Sequence, residues 1–369
     1  MPGSQGHTVS LSLLRRDCMT LRPAPIRVYR GAKASRYTLI GKDCGSAKHG
    51  AIRRASLNNN IKFRKGRYLI MEYYSFNKYM RDRFGTKVYK IALDAGLTCP
   101  NRDGTIDTRG CIFCSEGGSG EFAQKITLEN VKEQLENAKK RIEKKNKGGK
   151  YMAYFQAFSN TYGPIKYLES IFTECIMQED IVALSIATRP DCIGDEVLEL
   201  LQKLNKIKPI FVELGLQTIH ENSAQYIRRG YALSVFDDAV KRLKCADIEV
   251  IVHVILGLPY ETEEDILKTV DYVGKSGAGG IKLQLLHVLK GTDLAKDYEA
   301  GKFETLTMEQ YINLVVKCLK ILPDDIVIHR LTGDGDKKLL IAPLWSMDKK
   351  KVLNALNKAI ASAYTIQKI

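Results

Sequence analysis

The residues with the most distinctive chemistry are three cysteines in the segment CPNRDGTIDTRGCIFC, namely Cys99, Cys111 and Cys114. Their spacing, C-x11-C-x2-C, allows three thiolates to reach one metal centre. A structural zinc ion would need a fourth ligand, and none of the six histidines lies in this segment. Three thiolates fit better with an iron–sulfur cluster that keeps one coordination position open. A redox-active Cys-x-x-Cys is the alternative, and it leaves Cys99 without a function.

A second set of polar residues follows apolar segments that are typical of strands. Gln156, Ser159 and Asn160 end the segment YMAYFQAFSN, where they either bind a ligand or make ordinary hydrogen bonds at a strand–helix junction. Thr188 and Arg189 follow the segment IVALSIA. Arg189 is a candidate to pair with a carboxylate, and a surface arginine is the alternative. Ligands bind at the carboxyl ends of parallel strands, so this set is expected at the same edge as the cysteines.

Glu213 is a charged residue inside the apolar segment PIFVELGLQ. A buried charge is costly unless it is paired, so we expect Glu213 to have a partner and a place in the site. Gln217 shares its strand face by the two-residue period. Arg229 is predicted to pair with Glu213 or with an anionic cofactor, and His329 to contribute to the substrate side. His253 is expected to be a core histidine whose hydrogen bonds are satisfied.

Composition and charge set limits on the class of protein. The chain has 369 residues, 44% of them hydrophobic, and no apolar run long enough to predict a transmembrane helix. Nine cysteines in so long a chain favour a reducing compartment over a disulfide-linked secreted protein. The net charge is +15, but residues 1–70 hold fifteen Lys or Arg against Asp17 and Asp43. The remaining 42 basic and 40 acidic residues nearly balance, so overall charge alone does not indicate RNA binding.

The elements that must position these residues alternate along the chain from Tyr89 onward. Near-continuous apolar runs predict six strands, at residues 88–96, 151–158, 181–188, 209–217, 248–257 and 281–289. Amphipathic segments predict helices that begin at Thr127, Pro164, Asp195, Leu233, Glu263 and Leu306. This alternation predicts an α/β fold in which helices cover a parallel sheet, in the form of a partial (β/α)6 TIM-like barrel.

The chain is predicted to contain three regions. Residues 1–70 form a basic, disordered extension, which we interpret as an upstream extension or a misplaced start. An organelle transit peptide and an arm that grips nucleic acid are the alternatives for this segment. Residues 71–295 form the barrel. Residues 296–369, with strand-like runs at 326–335 and 339–345 and a final helix, form a small α/β extension that packs on the barrel.

Several segments occur in an order that matches a known family. They are KIALDAGLTCPNRDGTIDTRGCIFC, YFQAFSNTY, IATRPDCI, VELGLQT, VILGLPYET, LQLLHVLKGT and HRLTGDG. From about Met71 to its end, the chain resembles the radical S-adenosylmethionine (SAM) enzymes, and within them the bacterial YhcC/YtqA-like group. The cysteine spacing is wider than the C-x3-C-x2-C of most radical SAM enzymes but is similar to that of this group.

The resemblance implies that Cys99, Cys111 and Cys114 hold a [4Fe–4S] cluster whose open iron binds SAM. An electron from a donor such as flavodoxin or ferredoxin then cleaves SAM to methionine and a 5′-deoxyadenosyl radical, which removes a hydrogen atom from the substrate. Gln156, Ser159 and Asn160 stand where the resembled superfamily usually contacts the amino group of SAM, and the other candidates for cofactor binding are Thr188, Arg189 and Gln217. The candidates for catalysis are Glu213, Arg229 and His329.

The resemblance further implies a substrate. Members of the group are linked to modification of the wobble uridine of tRNA, so the implied protein is a cytoplasmic enzyme that converts carboxymethylaminomethyl-uridine to aminomethyl-uridine, without membrane association. A radical SAM enzyme that acts on a small metabolite or on another protein is the alternative, and a basic patch around the barrel mouth would discriminate between the two. A metal-stabilised binding protein is the non-enzyme alternative, which iron and sulfide analysis would test.

Overall fold

The computed structural model of the protein describes residues 61–64, 67–70, 73–118, 120–146, 148–333 and 335–366. The extension predicted over residues 1–70 lies outside these residues except for two short strands, β1 (Ile61–Arg64) and β2 (Arg67–Ile70). They pair antiparallel, and β2 also pairs with a strand at Thr365–Ile366. Within the described residues, no helix is both long and apolar enough to cross a membrane.

The centre of the protein is a parallel sheet of eight strands. The first seven in chain order are β3 (Val88–Asp94), β4 (Gln124–Lys125), β5 (Lys150–Phe155), β6 (Ile181–Thr188), β7 (Ile210–Gln217), β8 (Glu249–Leu256) and β9 (Gly280–Leu285). A separate antiparallel pair joins β10 (Val288–Leu289) to β12 (Leu340–Ala342), and β11 (Val327–Arg330) completes the main sheet. Across the sheet the order is β11-β9-β8-β7-β6-β5-β3-β4. The predicted α/β class and partial TIM-like barrel are therefore confirmed.

Helices connect the strands and cover the sheet. They are α1 (Phe76–Phe84), α2 (Val131–Lys140), α3 (Ile165–Ile176), α4 (Asp195–Asn205), α5 (Glu221–Tyr226), α6 (Leu233–Cys245), α7 (Glu263–Ser276), α8 (Asp293–Glu299), α9 (Met308–Ile321) and α10 (Lys349–Tyr364). Local sequence signals fix several ends. Thr262 and Thr307, for example, begin α7 and α9 as capping boxes, in which the side chain and the backbone of the first turn satisfy each other.

The interior of the barrel changes character along the strands. At their amino ends an apolar cluster that includes Met80, Met152 and Phe211 closes the barrel, and α1 supplies Met80. Further along, polar side chains of successive strands are hydrogen-bonded to one another: Lys90, Tyr154, Ser185, Glu213, His253 and Lys282. Bulky aliphatic residues normally fill this layer of a TIM-like barrel, so a polar layer indicates a functional cavity.

Two local features differ from the sequence-based prediction. The run predicted as one strand over residues 281–289 is two strands, because β9 stays in the main sheet while β10 leaves it to pair with β12. The sequence also does not predict α1, α5 or α8, which have nine, six and seven residues. Segments this short carry too few turns to show a helical period.

Candidate active site

A cavity, called here the central cavity, opens at the carboxyl ends of the parallel strands. Ten of the twelve residues that the sequence singled out line it: Cys99, Cys111, Cys114, Gln156, Ser159, Thr188, Arg189, Glu213, Gln217 and Arg229. Residues from β5, β6, β7 and the loop after β3 thus meet at one place, as expected for a parallel sheet. The two exceptions are Asn160 and His329.

The loop that carries the cysteines is held by hydrogen bonds within its own backbone and by the side chain of Asn101. The amide of Cys114 donates to the carbonyl of Cys111 at 2.9 Å, and the amide of Arg102 donates to the carbonyl of Cys99 at 2.8 Å. The buried Asn101 amide donates to Cys111 Sγ at 3.4 Å and to the carbonyl of Arg228 at 2.7 Å. The loop therefore presents its thiols from a hydrogen-bonded frame.

The electrostatics of the thiols indicate what kind of ligand they need. Burial, followed by the neighbouring Cys114, raises the pKa of the Cys111 thiol to about 12, and burial also raises the pKa of Cys114. Without a positive ion these sulfurs are protonated, and a bound metal favours the thiolate form. Within the described part of the chain, no three Cys, His, Asp or Glu side chains are placed so that they could hold a single metal ion. A cubane cluster has a different requirement, because each thiolate binds a different iron. Three thiols on one loop provide the number of ligands for a cluster with one open iron.

The glycine-rich segment after the cysteines packs against the end of β5. The amide of Phe158 donates to the carbonyl of Gly118 at 3.0 Å. Gly118 has φ +59°, and a Cβ there would lie 2.4 Å from the Phe158 ring. Only glycine satisfies both the left-handed conformation and the close contact, which brings the cysteine loop and the strand end together.

Of the polar residues after β5 and β6, some line the cavity and one does not. The hydroxyl of Thr188 is 2.6 Å from that of Thr161, and Ser159 is buried beside it in the cavity wall. Asn160 is fully buried and its amide donates to the carbonyls of Ala157 and Ala187, both at 2.9 Å. The amide nitrogen of Asn160 therefore makes the ordinary junction hydrogen bonds that the sequence allowed as an alternative, while its Oδ1 is buried with no hydrogen-bond partner among the described residues.

Gln217, at the end of β7, has a backbone conformation that is rare for its residue type. Its φ is +68°, and its side-chain oxygen is buried with no hydrogen-bond partner among the described residues. Backbone strain and an unsatisfied buried acceptor each cost free energy, and they are retained mostly at functional sites. Gln217 is accordingly a candidate to receive a hydrogen bond from a ligand.

The two arginines predicted near the cofactor already have partners within the protein. Arg189 is not a surface residue, and it makes a bidentate ion pair with Asp191 at 2.9 and 2.7 Å. Arg229 donates to the carbonyl of Thr218 at 2.6 Å and to that of Tyr231 at 3.1 Å. The guanidinium groups of both arginines lie over the Tyr231 ring, at 5.2 Å and 4.7 Å from its centroid.

Glu213 pairs with residues other than the predicted Arg229. Its Oε1 accepts hydrogen bonds from Lys90 Nζ at 2.6 Å and from Ser185 Oγ at 2.5 Å. Its Oε2 contacts His253 Nε2 at 2.7 Å and also accepts from Lys282 Nζ. We call Lys90, Glu213, His253 and Lys282 the Glu213 cluster. The prediction that Arg229 is the partner of Glu213 is wrong, because Arg229 is engaged by the carbonyls that follow β7.

The charges of this cluster follow from burial and proximity. Burial alone would raise the pKa of Glu213, but Lys282 and Lys90 hold it well below its usual range, so the carboxylate is ionised. Burial, followed by the charge of Lys282, lowers the pKa of His253 to about 4, so its imidazole is neutral. His253 is thus a satisfied histidine, as expected, but it lies in a polar layer. Burial also lowers the pKa of Lys90 and Lys282, which share a single carboxylate.

The sequence analysis did not single out Lys90 or Lys282. The available signal was the same one that marked Glu213, since both lysines lie inside apolar strand segments, KIALDAG and IKLQLL. Three buried charges on three different strands would have to meet in order to be tolerated. This argument identifies Lys90, Glu213 and Lys282 as a group, but it does not predict the individual contacts between them.

A second cavity adjoins the first, and we call it the vestibule. It shares Tyr154, Gln156, Lys282 and Arg330 with the central cavity, and His329 lines it. Burial, followed by Lys90, holds the pKa of His329 well below its usual range, and its ring lies 5.0 Å from that of Phe76. The outer part of the vestibule is formed by basic residues of α2, of the segment before β12 and of the start of α10: Arg141, Lys337, Lys338, Lys349 and Lys350.

Comparison with known proteins gives matches over most of the chain. The model of the radical SAM superfamily matches residues 108–273, and that of the Radical_SAM C-terminal domain matches residues 278–362. The uncharacterized protein YtqA of Bacillus subtilis is 44% identical over 295 residues, which cover 80% of this chain and 91% of that protein. Protein YhcC of Escherichia coli is 35% identical over 264 residues, which cover 71% of this chain and 84% of that protein.

One solved structure supports the fold. The archaeal Elp3 of Methanocaldococcus infernus, with residues 1–46 deleted, superposes with a TM-score of 0.54 at 18% sequence identity. The match covers 72% of this chain and 63% of the Elp3 chain. At this identity the likeness concerns the barrel and not the substrate.

Proposed function

This chain belongs to the radical SAM superfamily, and we propose that it is the enzyme that converts carboxymethylaminomethyl-uridine at the wobble position of tRNA to aminomethyl-uridine. Enzymes of this superfamily use a [4Fe–4S] cluster and SAM, which when bound supply a 5′-deoxyadenosyl radical that removes one hydrogen atom from the substrate. The remaining chemistry depends on which substrate the cavity holds and how it excludes water.

In this proposal the residues of the central cavity divide into two groups. Cys99, Cys111 and Cys114 hold the cluster, because they are the three thiols that meet at the cavity wall. SAM is bound beside them by the strand-end residues that line the cavity: Gln156, Ser159, Thr188, Arg189 and Gln217. Arg229 holds the loop after β7 in place behind this group. A flavodoxin or ferredoxin is the proposed electron donor.

The observation that favours RNA over a small metabolite is the charge of the vestibule. Of the described residues that line it, eight are Lys or Arg and three are Asp or Glu. The cations continue from the exposed Lys337, Lys338 and Lys350 to the buried Lys282. A cationic path of this kind attracts a polyanion, and a phosphate backbone is what such surfaces bind. A basic patch around the barrel mouth is the feature expected to separate RNA from a small metabolite, and the vestibule is our candidate for that patch. The net charge of the chain beyond residue 70 is close to zero, so these cations are a local feature.

The proposed reaction balances as a two-electron oxidation followed by hydrolysis. The methylene between the nitrogen and the carboxylate loses a hydrogen atom, and the carbon radical then loses an electron and a proton to form a carbon–nitrogen double bond. Water adds to that carbon, the carbon–nitrogen bond breaks, and aminomethyl-uridine and glyoxylate leave. One electron would leave with the hydrogen atom, and the second would replace the electron that the donor supplied for the cleavage of SAM. SAM would therefore be the net two-electron oxidant and would yield methionine and 5′-deoxyadenosine.

The test compares two forms of one substrate. Cluster-loaded protein with SAM and a reductant is incubated with tRNA that carries carboxymethylaminomethyl-uridine, or with the free nucleoside. We expect 5′-deoxyadenosine, glyoxylate and aminomethyl-uridine in equal amounts with tRNA, and little reaction with the nucleoside. The triple Cys→Ala variant serves as the control and should give none of the three products.

Two results would contradict the proposal in different ways. Equal kcat/KM for the nucleoside and the tRNA would favour the small-metabolite alternative. Formation of 5′-deoxyadenosine at one rate with or without tRNA, with the nucleoside unchanged, would remove RNA as the substrate and leave membership of the superfamily intact.

A further inference from the structure

Arg330 lies where the two cavities join. It is the last residue of β11, its Cα is paired with that of Lys282 on β9, and its half-buried side chain lines both the central cavity and the vestibule. Arg189 is paired with Asp191, and Arg229 donates to two backbone carbonyls and lies 3.7 Å from the carboxylate of Glu221. Arg330, in contrast, makes no hydrogen bond or ion pair with the residues that the structure describes.

The charges around Arg330 leave a surplus of positive charge. Lys90 and Lys282 both bind Glu213, so three basic side chains near the junction of the two cavities face one carboxylate. Two other acids line the same space. Glu121 accepts a hydrogen bond from Ser115, and Asp336 accepts one from the amide of Lys338 in its own turn. Neither acid forms an ion pair with Arg330 in the described structure. Burial lowers the pKa of both lysines, and the nearby charge of Arg330 contributes to the lowering. An additional anion would stabilise this arrangement.

The shape of the guanidinium determines which anion fits. Its planar pair of N–H donors matches the two oxygens of a carboxylate, and such bidentate pairs are strong and well oriented. If the substrate enters through the vestibule, as in the proposed function, Arg330 is the cation without a hydrogen-bond or ion-pair partner among the described residues that it meets at the junction with the central cavity.

We propose that Arg330, supported by Lys282, binds the carboxylate of the carboxymethyl group and so distinguishes substrate from product. The inference rests on the proposed function, which supplies a substrate with a carboxylate. It also explains release of the product. Once glyoxylate has left, the remaining aminomethyl group is a cation, and Arg330 and Lys282 repel it.

The experiment uses two anticodon stem-loop RNAs that differ only in the wobble nucleoside, one with carboxymethylaminomethyl-uridine and one with aminomethyl-uridine. Dissociation constants for the full-length protein are measured by fluorescence anisotropy. We expect the wild-type protein to bind the substrate RNA at least about tenfold more tightly than the product RNA, as a charged bidentate contact implies. Arg330→Gln should bring the ratio close to one, and Arg330→Lys should retain part of it.

The matched control is Arg141→Gln, which removes an arginine at the outer end of the vestibule. This variant should weaken the binding of both RNAs by the same factor and leave the ratio of their dissociation constants unchanged. A ratio that survives in Arg330→Gln, or a wild-type protein that binds the two RNAs equally, would overturn the assignment of Arg330 while RNA binding stands. If neither RNA binds, the proposed function itself fails. Unchanged circular dichroism of the variants establishes that folding is not the cause.

Discussion

Two groups of cations surround the central cavity, and they differ in what they are bound to. On the side of the cysteines, Arg189 and Arg229 each have acceptors within the protein. In the second group, Lys90 of β3 and Lys282 of β9 share Glu213, and Arg330 of β11 has no hydrogen-bond or ion-pair partner among the described residues. The contacts of the first group hold the loops after β6 and β7 in place, although Arg229 Nη2 makes no hydrogen bond with the described residues. The second group carries more positive than negative charge, so an anion from outside completes it.

The largest effect is expected from the cysteines, which test whether the first side of the cavity is built around a cluster. Replacing Cys99, Cys111 or Cys114 by Ala should abolish iron binding, because a cubane with a single open position needs three thiolates. Anaerobic reconstitution should otherwise give about four irons per chain with visible absorbance that dithionite bleaches.

Cys175→Ala and Cys318→Ala are the controls, since both thiols are buried in the apolar core. They should keep the cluster. A complete cluster in Cys99→Ala would contradict the ligand assignment.

The next effect tests the charge balance of the second side. Glu213→Gln removes the carboxylate that both lysines share, and breaking a buried ion pair costs about 3–5 kcal/mol in the free energy of unfolding. Urea denaturation measures this cost. The double variant Glu213→Gln/Lys282→Met should recover part of the lost stability, because it also removes one of the unpaired charges.

Glu249→Gln is the matched control on the adjacent strand β8. Glu249 is paired with Arg83 in a partly exposed site, where an ion pair contributes less than about 1 kcal/mol. If Glu213→Gln and Glu249→Gln lower the free energy of unfolding by the same amount, Glu213 does not balance the charges of Lys90 and Lys282.

The third prediction compares one arginine from each side. Arg229→Gln takes a charged donor away from two buried carbonyls and should destabilise the protein by about 2 kcal/mol or more. Arg330→Gln breaks no hydrogen bond or ion pair among the described residues and relieves repulsion with Lys90 and Lys282, so its stability should stay within about 0.5 kcal/mol of the wild type. Thermal and urea unfolding of the two variants test this contrast, and a larger loss for Arg330→Gln would reverse the distinction.

The smallest effect per residue is expected at the outer end of the vestibule. Lys337→Gln, Lys338→Gln and Lys350→Gln combined should weaken tRNA binding and reduce the slope of log K against log salt by up to about 2–3, since each lost phosphate contact contributes about 0.7–0.9. Substitution of the exposed Lys166, Lys206 and Lys241, which lie outside both cavities, is the control. An equal change in slope for the two triple variants would mean that the vestibule has no special contact with RNA.

Most of the fold could be predicted from the sequence, because strand and helix patterns depend on neighbouring residues. Apolar runs and amphipathic segments placed the six strands and the main helices, and the spacing of Cys99, Cys111 and Cys114 identified one loop as the place of metal chemistry. Polar residues at strand ends were also correctly brought to one edge, since all strands of the sheet run parallel.

Only the tertiary structure decided which charged residues pair. Glu213 meets Lys90, 123 positions earlier, and Lys282, 69 positions later, because β3, β7 and β9 direct these side chains into one barrel interior. Arg229, which is closer in sequence, is bound instead by backbone carbonyls next to its own loop. Local sequence determines what each strand is made of, but the order and curvature of the sheet determine which side chains meet inside it. Those contacts left Arg330, which sequence reasoning passed over for its neighbour His329, as the cation available to a substrate.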